Sequence, residues 1–436
     1  MARLRLLALF RRFRSVAADD GFGSAVRRAG GFLRRRWTGE GASTLQYEAD
    51  PTPRPEQYLH GIWRNLAQEG AFHVDCAPAV HRRRRQIAMI ADLNLPQCRK
   101  YRVEQLAAFW RERGVEFEYA HHQDVPRASR ILQSATHLME YRLQTNPVTE
   151  MFRYEARRLR LPILYDLDDP LFPVSAYETY RNMDALPPGL KAHFLSEAPR
   201  YLAMMNGADI LSVSTPGMAA HVASYSPRPV FVRRNFADAE TLEAGQRAIE
   251  AEHPADGLFR VAFASGSQGH EIDLAEMLDP LAAFIAAAPN RRLMILGHFD
   301  LSHLPEELAD RTEVTPFSDY AAYLSTLRRA NCAVMPLCDD IFNRCKSAVR
   351  VIDASAVAVP AIVGPVGDLP NVVRHGDTGL VVSDCLDWAA ALDSLADDPA
   401  AAAAMGQRAR ADLEARWCGQ AKDHIVAPEL MDWVAA

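Results

Sequence analysis

Asn343-Arg-Cys-Lys-Ser-Ala-Val-Arg-Val-Ile-Asp-Ala-Ser-Ala-Val-Ala-Val-Pro360 is the stretch on which the reading of this chain turns. It follows an apolar run, Asn331 to Leu337, that reads as a strand, and a polar loop, Cys338 to Phe342. It ends at Pro360, which opens a second apolar run, Ala361 to Gly364. Val349, Ile352, Ala356 and Val359 recur at helical spacing, so the segment is expected to be a helix packed on a sheet. Lys346, Arg350 and Asp353 fall on its other face, at i, i+4 and i+7. Such a helix aims its free N–H groups, the ammonium of Lys346 and the hydroxyl of Ser347 at the space above the strand ends. That is where an open α/β sheet binds anions. Asp353 lies two turns further on, roughly 10 Å away, which suits a ribose beyond a diphosphate. A surface helix with solvated charges is the other reading of the same pattern.

Outward from this segment, the chain of 436 residues is too long for one core and suits two domains plus extensions. Its hydrophobic content of 49% is that of a globular protein, and a net charge of −6 gives no support to a nucleic-acid binder. The seven cysteines are scattered with no Cys-x-x-Cys pair, so neither a zinc site nor a disulfide framework is expected. A reduced, cytoplasmic setting fits. No apolar run reaches the roughly 18 residues that a membrane-spanning helix needs. Residues 1–36 stand apart, with ten arginines against two acidic residues, interleaved with Leu4, Leu6, Leu7, Leu9, Phe10, Phe13, Phe32 and Leu33, then Trp37. Arginines interrupt every apolar stretch, which excludes a secretory signal. Residues 1–37 therefore read either as a peripheral contact with the inner face of the cytoplasmic membrane or as a disordered basic tail.

Between these ends strands and helices alternate. Strands are expected at Gln86–Ala91, Val115–Ala120, Ala135–Tyr141, Pro162–Leu167, Ile210–Ser214 and Val230–Arg233. Helices are expected at Val103–Arg113, Thr149–Leu159 and Gly189–Asn206. After a polar connector the pattern restarts, with strands at Val261–Ala264, Leu293–Leu296, near Val314, and at Cys332–Met335, Ala361–Val363 and Leu380–Val382. Helices Ile272–Ala288 and Tyr320–Ala330 lie between them. Two doubly wound α/β domains facing a cleft follow. The expected boundaries are a basic extension at 1–84, domains at 85–237 and 258–415 joined by a linker or connecting helix at 238–257, and a terminal helix at 416–436.

Several segments of the second half carry a resemblance: Lys346-Ser347 through Asp353-Ala354, Pro360-Ala361-Ile362-Val363, Gly367, Asn371-Val372-Val373, and Gly376-Asp377-Thr378-Gly379-Leu380-Val381. They resemble the carboxy-terminal half of GT-B glycosyltransferases, most closely the retaining group 1, or family 4-like, enzymes of bacterial surface polysaccharides. That family carries two acidic residues eight positions apart, the second on the ribose. Asp353 matches the second as a conservative change, whereas Cys345 stands at the first, a departure. The resemblance implies donor contacts from Gly266, Ser267 and His270 in the small-residue loop Ala264–His270, where His270 replaces the usual basic residues. It also implies donor contacts from Lys346 and Ser347, and base contacts from the loop around Phe317. Asp166, Asp168 and Asp169 end a strand where the family has a His-Asp pair, and are the catalytic candidates, placing acceptor or sugar hydroxyls. A metal on this Asp-x-Asp and plain helix capping are the other readings of these acids. Arg99 and Arg102 stand where an acceptor or donor phosphate can be gripped.

The activity so implied is transfer of a hexosyl unit from a nucleoside diphosphate sugar to a surface-glycan or lipid-linked acceptor, with retention, and with no cofactor or metal expected to be required. A GT-B-like sugar-nucleotide epimerase or hydrolase is one alternative. A catalytically silent partner in a glycan-assembly complex, favoured by the missing acid at Cys345, is the other. Cys98, Cys332, Cys338 and Cys345 read as small apolar fillers.

Overall fold

The computed structural model describes residues 13, 14, 17, 18, 21–38, 84–252, 256–266, 270–419 and 423–435. Residues 1–52 with 187–193 form one compact unit and the rest of the chain another. In the first, the helix Phe22–Thr38 leaves Phe22, Val26 and Leu33 exposed. Most of the basic segment 1–20, and all of 39–83, lie outside the described residues.

The second unit holds two six-stranded parallel sheets. The first runs β2-β1-β3-β4-β5-β6, where β1 is Gln86–Ala91, β2 Glu116–His121, β3 His137–Tyr141, β4 Ile163–Leu167, β5 Ile210–Val213 and β6 Val230–Val232. The second runs β12-β11-β10-β7-β8-β9, where β7 is Phe259–Gly266, β8 Arg291–Gly297, β9 Thr312–Thr315, β10 Cys332–Met335, β11 Ala361–Val363 and β12 Gly379–Val381. Parallel strands bury both faces, so their side chains divide alternately between two cores. In β1, Ile87, Met89 and Ala91 enter one cluster while Ala88 and Ile90 enter another. In β7, Val261 and Phe263 face away from Ala262 in the same manner. These are Rossmann-like domains.

Three expected helices changed, and the connector takes its helical reading. The helix expected at Ile272–Ala288 divides into Glu271–Ala275 and Leu278–Ala286. The helix at Val103 begins earlier, as Pro96–Arg99 followed by a π turn, Lys100–Glu104, and then Gln105–Arg111. The connector contains the helix Ala239–Glu250, capped by Asp238 and packed so closely on the second domain that Gly245 abuts the carbonyl of Ala356. The opening segment is not one helix but two, Ile341–Arg344 and Val349–Ala356. Its intervening groups bond to distant partners instead: the Cys345 carbonyl accepts from Thr215 Oγ1 at 2.9 Å and the Lys346 carbonyl from the Asp368 N–H at 3.0 Å. Tertiary hydrogen bonds therefore displace helical ones here.

The chain end returns to the first domain. The Ala427 N–H donates to the Val232 carbonyl at 3.0 Å, Val426 bridges Arg233, and Leu430 and Val434 of the helix Pro428–Ala435 are buried.

Candidate active site

In an open α/β sheet, ligands bind outside the carboxyl ends of the strands where the winding direction reverses. In the second sheet that point lies between β7 and β10. The chain leaves β7 at Gly266, and Ser267, with Gln268 and Gly269, lies outside the described residues. Three basic side chains border this opening. Lys346 is in the loop ahead of the helix Val349–Ala356, not on it, which corrects the expected shared helix face. Arg350 is in the first helical turn, with Nη2 3.5 Å from the Ser265 carbonyl. His270 is buried, its Nδ1 2.9 Å from Asp273 Oδ2. Burial, reinforced by the Arg350 charge, pushes the His270 imidazole below its ordinary pKa. At neutral pH it is a neutral hydrogen-bonding group, in line with its expected place as a substitute for the usual basic residues. Arg350 is a cation at this opening that site assignment from sequence passed over, although its spacing from Lys346 was visible.

Every donor group expected on the opening segment is held by the first domain. Lys346 Nζ lies 3.1 Å from Asp169 Oδ1. The Ser347 hydroxyl accepts from Asn235 Nδ2 at 3.0 Å. Asp353 is buried beneath tyrosines: Tyr101 of the first domain donates to its carboxylate, and Tyr320 donates to Oδ1 at 2.7 Å. Burial raises the Asp353 carboxyl to about 6, against the opposing effect of these hydroxyls. Phe317 sits three residues before Tyr320 and is 61% exposed.

On the first domain the structure removes two candidates. Arg102 and Asp166 are fully buried and bonded to each other: Arg102 Nε lies 2.9 Å from Asp166 Oδ2, and Arg233 Nη2 lies 3.0 Å from the same oxygen. Ser212 donates to the other oxygen. Burial disfavours the Asp166 carboxylate, but the two guanidinium groups win and hold its pKa below the usual range. The π turn at Lys100–Glu104 faces Arg102 into the core, so it is no phosphate grip, and Asp166 is a structural anion rather than a catalytic one. Arg99 stays exposed, paired with Glu104 at 2.7 Å.

Asp168 and Asp169 do reach the edge of the sheet. Arg142, at the end of β3 with φ of 57°, turns its guanidinium onto both, 3.6 Å from Asp168 Oδ1 and 3.0 Å from Asp169 Oδ2. A non-glycine residue in that left-handed region carries strain that its surroundings must impose. Burial opposes the Asp169 charge, yet Lys346 and Arg142 hold its pKa below the ordinary value. With Arg102, Arg233, Arg142 and Lys346 already around them, these acids offer a cation little uncompensated charge. The cysteines are poor nucleophiles: burial pushes the Cys98, Cys332 and Cys345 thiols up to about 12.

Two Rossmann-like domains whose carboxyl-end edges meet across Lys346 and Asp169 define the GT-B class of fold. Within it, residues 261–398 match the family described as glycosyl transferases group 1, so the second domain is a group 1 glycosyltransferase domain. The mannosyltransferase of Corynebacterium glutamicum named as GDP-mannose-dependent and acting on monoacylated α-(1-6)-phosphatidylinositol monomannoside is 30% identical over 149 residues, 32% of this chain and 39% of that one. D-inositol 3-phosphate glycosyltransferase of Pseudarthrobacter chlorophenolicus is 36% identical over 128 residues, 27% of this chain and 29% of that one. The match thus spans well under half of either relative. Among solved structures, sucrose-phosphate synthase from Thermosynechococcus elongatus superposes with a TM-score of 0.54 at 17% identity, covering 80% of this chain and 98% of that one. Anabaena HepE in complex with UDP-glucose gives 0.51 at 14% identity, covering 80% and 99%. At such identities these likenesses speak to the fold.

Proposed function

We propose that this chain is a glycosyltransferase that moves a hexosyl unit from a nucleoside diphosphate sugar to a surface-glycan or lipid-linked acceptor, with retention. The observation that carries the reading is the group 1 match over 261–398, because that span contains the switch-point loop, Lys346, Arg350 and Asp353. In this reading Lys346 and Arg350 neutralise the leaving diphosphate, helped by free N–H groups of the helix Val349–Ala356. Asp353 holds the ribose once Tyr101 withdraws, and Phe317 flanks the base. Asp168 and Asp169, fixed by Arg142, place the acceptor hydroxyl. The leaving phosphate itself takes the acceptor proton, so no side-chain base is required. The relatives' names direct the choice of substrates toward GDP-mannose and inositol-lipid acceptors, with UDP-glucose beside them. Among the described residues no helix is long and apolar enough to cross a membrane. Delivery of a lipid-linked acceptor then falls to the basic segment 1–37, docked peripherally on anionic lipid.

A second reading is favoured by one observation: Lys346, Ser347 and Asp353 are all occupied by partners from the first domain. In that reading the chain is a silent partner whose donor site is permanently filled. Purified protein incubated with GDP-mannose, UDP-glucose and related donors, with and without lipid-linked acceptor, separates the cases. Nucleoside diphosphate released only with acceptor is the expected result. Release without acceptor indicates a hydrolase, and no binding of any donor indicates the silent partner.

A further inference from the structure

The only metal reading that the sequence offered was at the Asp-x-Asp of Asp166 and Asp168. The fold nevertheless assembles one candidate set among the described residues, far from Asp166 in sequence: Asp92, His121 and His122, whose ligand atoms all lie within 4.8 Å of one another. Asp92 follows β1 directly, and the two histidines end and follow β2, so parallel pairing of these strands brings together residues 29 and 30 positions apart. This is the carboxyl edge of the first sheet. The Asp92 N–H donates to the Tyr141 carbonyl at 3.1 Å, one residue before Arg142, so the set borders the edge that carries the cleft aspartates.

We propose that Asp92, His121 and His122 bind a divalent transition-metal ion of the zinc type through two imidazoles and one carboxylate. Two observations beyond their proximity support it. His122 Nδ1 is buried without a hydrogen-bond partner, which costs free energy unless something completes it. His121 Nδ1 lies 3.2 Å from the Ala91 carbonyl. Donation there puts the ring proton on Nδ1 and frees Nε2, the arrangement by which backbone carbonyls orient histidine ligands. The other tautomer accepts at Nδ1 from the Leu93 N–H, also at 3.2 Å, and leaves Nε2 protonated, so metal binding selects the first. Asp92 is held in turn: its Oδ1 accepts from the Asn94 N–H at 3.0 Å, leaving Oδ2 for the ion.

Bonds of about 2.0–2.2 Å to zinc bring ligand atoms about 3.3 Å apart around a tetrahedral ion. Closing from the observed spacing is within the reach of side-chain rotation. Two imidazoles and one carboxylate suit zinc, cobalt or iron(II) better than magnesium or calcium, which favour all-oxygen sets. All three residues are partly exposed, so an ion can enter, and three protein ligands leave a position for water or a substrate oxygen. This inference is independent of glycosyl transfer.

The test is a titration of chelator-stripped full-length protein with Zn²⁺ by calorimetry and with Co²⁺ by visible absorption. The His122→Gln and Asp92→Asn variants are titrated in parallel, with near-ultraviolet circular dichroism to show that each is folded. One ion should bind wild type, give the absorption bands of a low-coordinate Co²⁺ site, and raise the melting temperature. Affinity should fall at least tenfold in His122→Gln and less in Asp92→Asn. Absence of binding to wild type, or equal titrations of wild type and both folded variants, overturns the proposal.

Discussion

Asp353 accepts hydroxyl hydrogen bonds yet titrates high, because burial outweighs them. Its folded pKa of about 6 lies above the 3.8 of an ordinary aspartate, so the folded state keeps a proton that the unfolded chain has released between these pH values. Stability from this group is thus present at low pH and is lost as pH rises through about 6, by about 3 kcal/mol in all. Urea unfolding at pH 4 and pH 7 should show Asp353→Asn gaining on wild type by a margin of that order at the higher pH; an equal difference at both values would mean that Asp353 is not buried. Asp166 is the contrasting case. Asp166→Ala leaves Arg102 and Arg233 buried without their anion and should cost about 3–5 kcal/mol, seen as a lowered denaturation midpoint, whereas a purely catalytic Asp166 would leave the midpoint in place. Sequence made Asp353 and Lys346 visible through their spacing. It could not reveal that Arg102 turns inward, since its partners Asp166 and Arg233 stand 64 and 131 positions away.

At the scale of elements, the strands were legible because parallel pairing buries both faces and leaves continuous apolar runs such as Ile87–Ala91. The helix around Lys346 was legible only in its second half. Apolar periodicity says nothing of the Thr215 hydroxyl and the Asp368 N–H that draw the Cys345 and Lys346 carbonyls away from helical bonding. Close helix packing was likewise hidden. Gly406, in the helix Pro399–Arg416, presents no side chain where the Ala358 carbonyl and Pro360 crowd against it. Gly406→Ala should therefore destabilise by about 1–3 kcal/mol despite alanine's better helix propensity. A thermal melt decides it, since a stabilised variant would show that this contact gives way freely.

At the scale of the molecule, the second unit is drawn closed through Lys346–Asp169, Asn235–Ser347 and Tyr101–Asp353, and on the proposed reading donor entry breaks these contacts. Asp169→Asn removes both a competitor for Lys346 and a like charge beside a diphosphate. Calorimetry with UDP and GDP should show tighter binding to this variant, by about fivefold, or roughly 1 kcal/mol. Lys346→Ala should weaken binding by about 1.5–3 kcal/mol. Unchanged affinity in both would place the diphosphate elsewhere. Removal of residues 1–37 should leave this affinity unaltered and reduce sedimentation with anionic vesicles, an effect that salt should mimic in the intact protein.

The return of residues 423–435 to the first domain has a consequence for synthesis. A nascent chain emerges amino end first, and domains generally fold as units in that order. Here the first sheet must wait, because Val426 reaches the end of β6, and the helix Pro428–Ala435 reaches His137 of β3, only after more than 400 residues have been translated. Until then part of its apolar surface stays open on the ribosome. The second domain takes its last strand, Gly379–Val381, and the helix Pro399–Arg416 that packs on it from before that segment. A stop codon after Trp417 would leave the earlier-made domain, not the later one, unfinished.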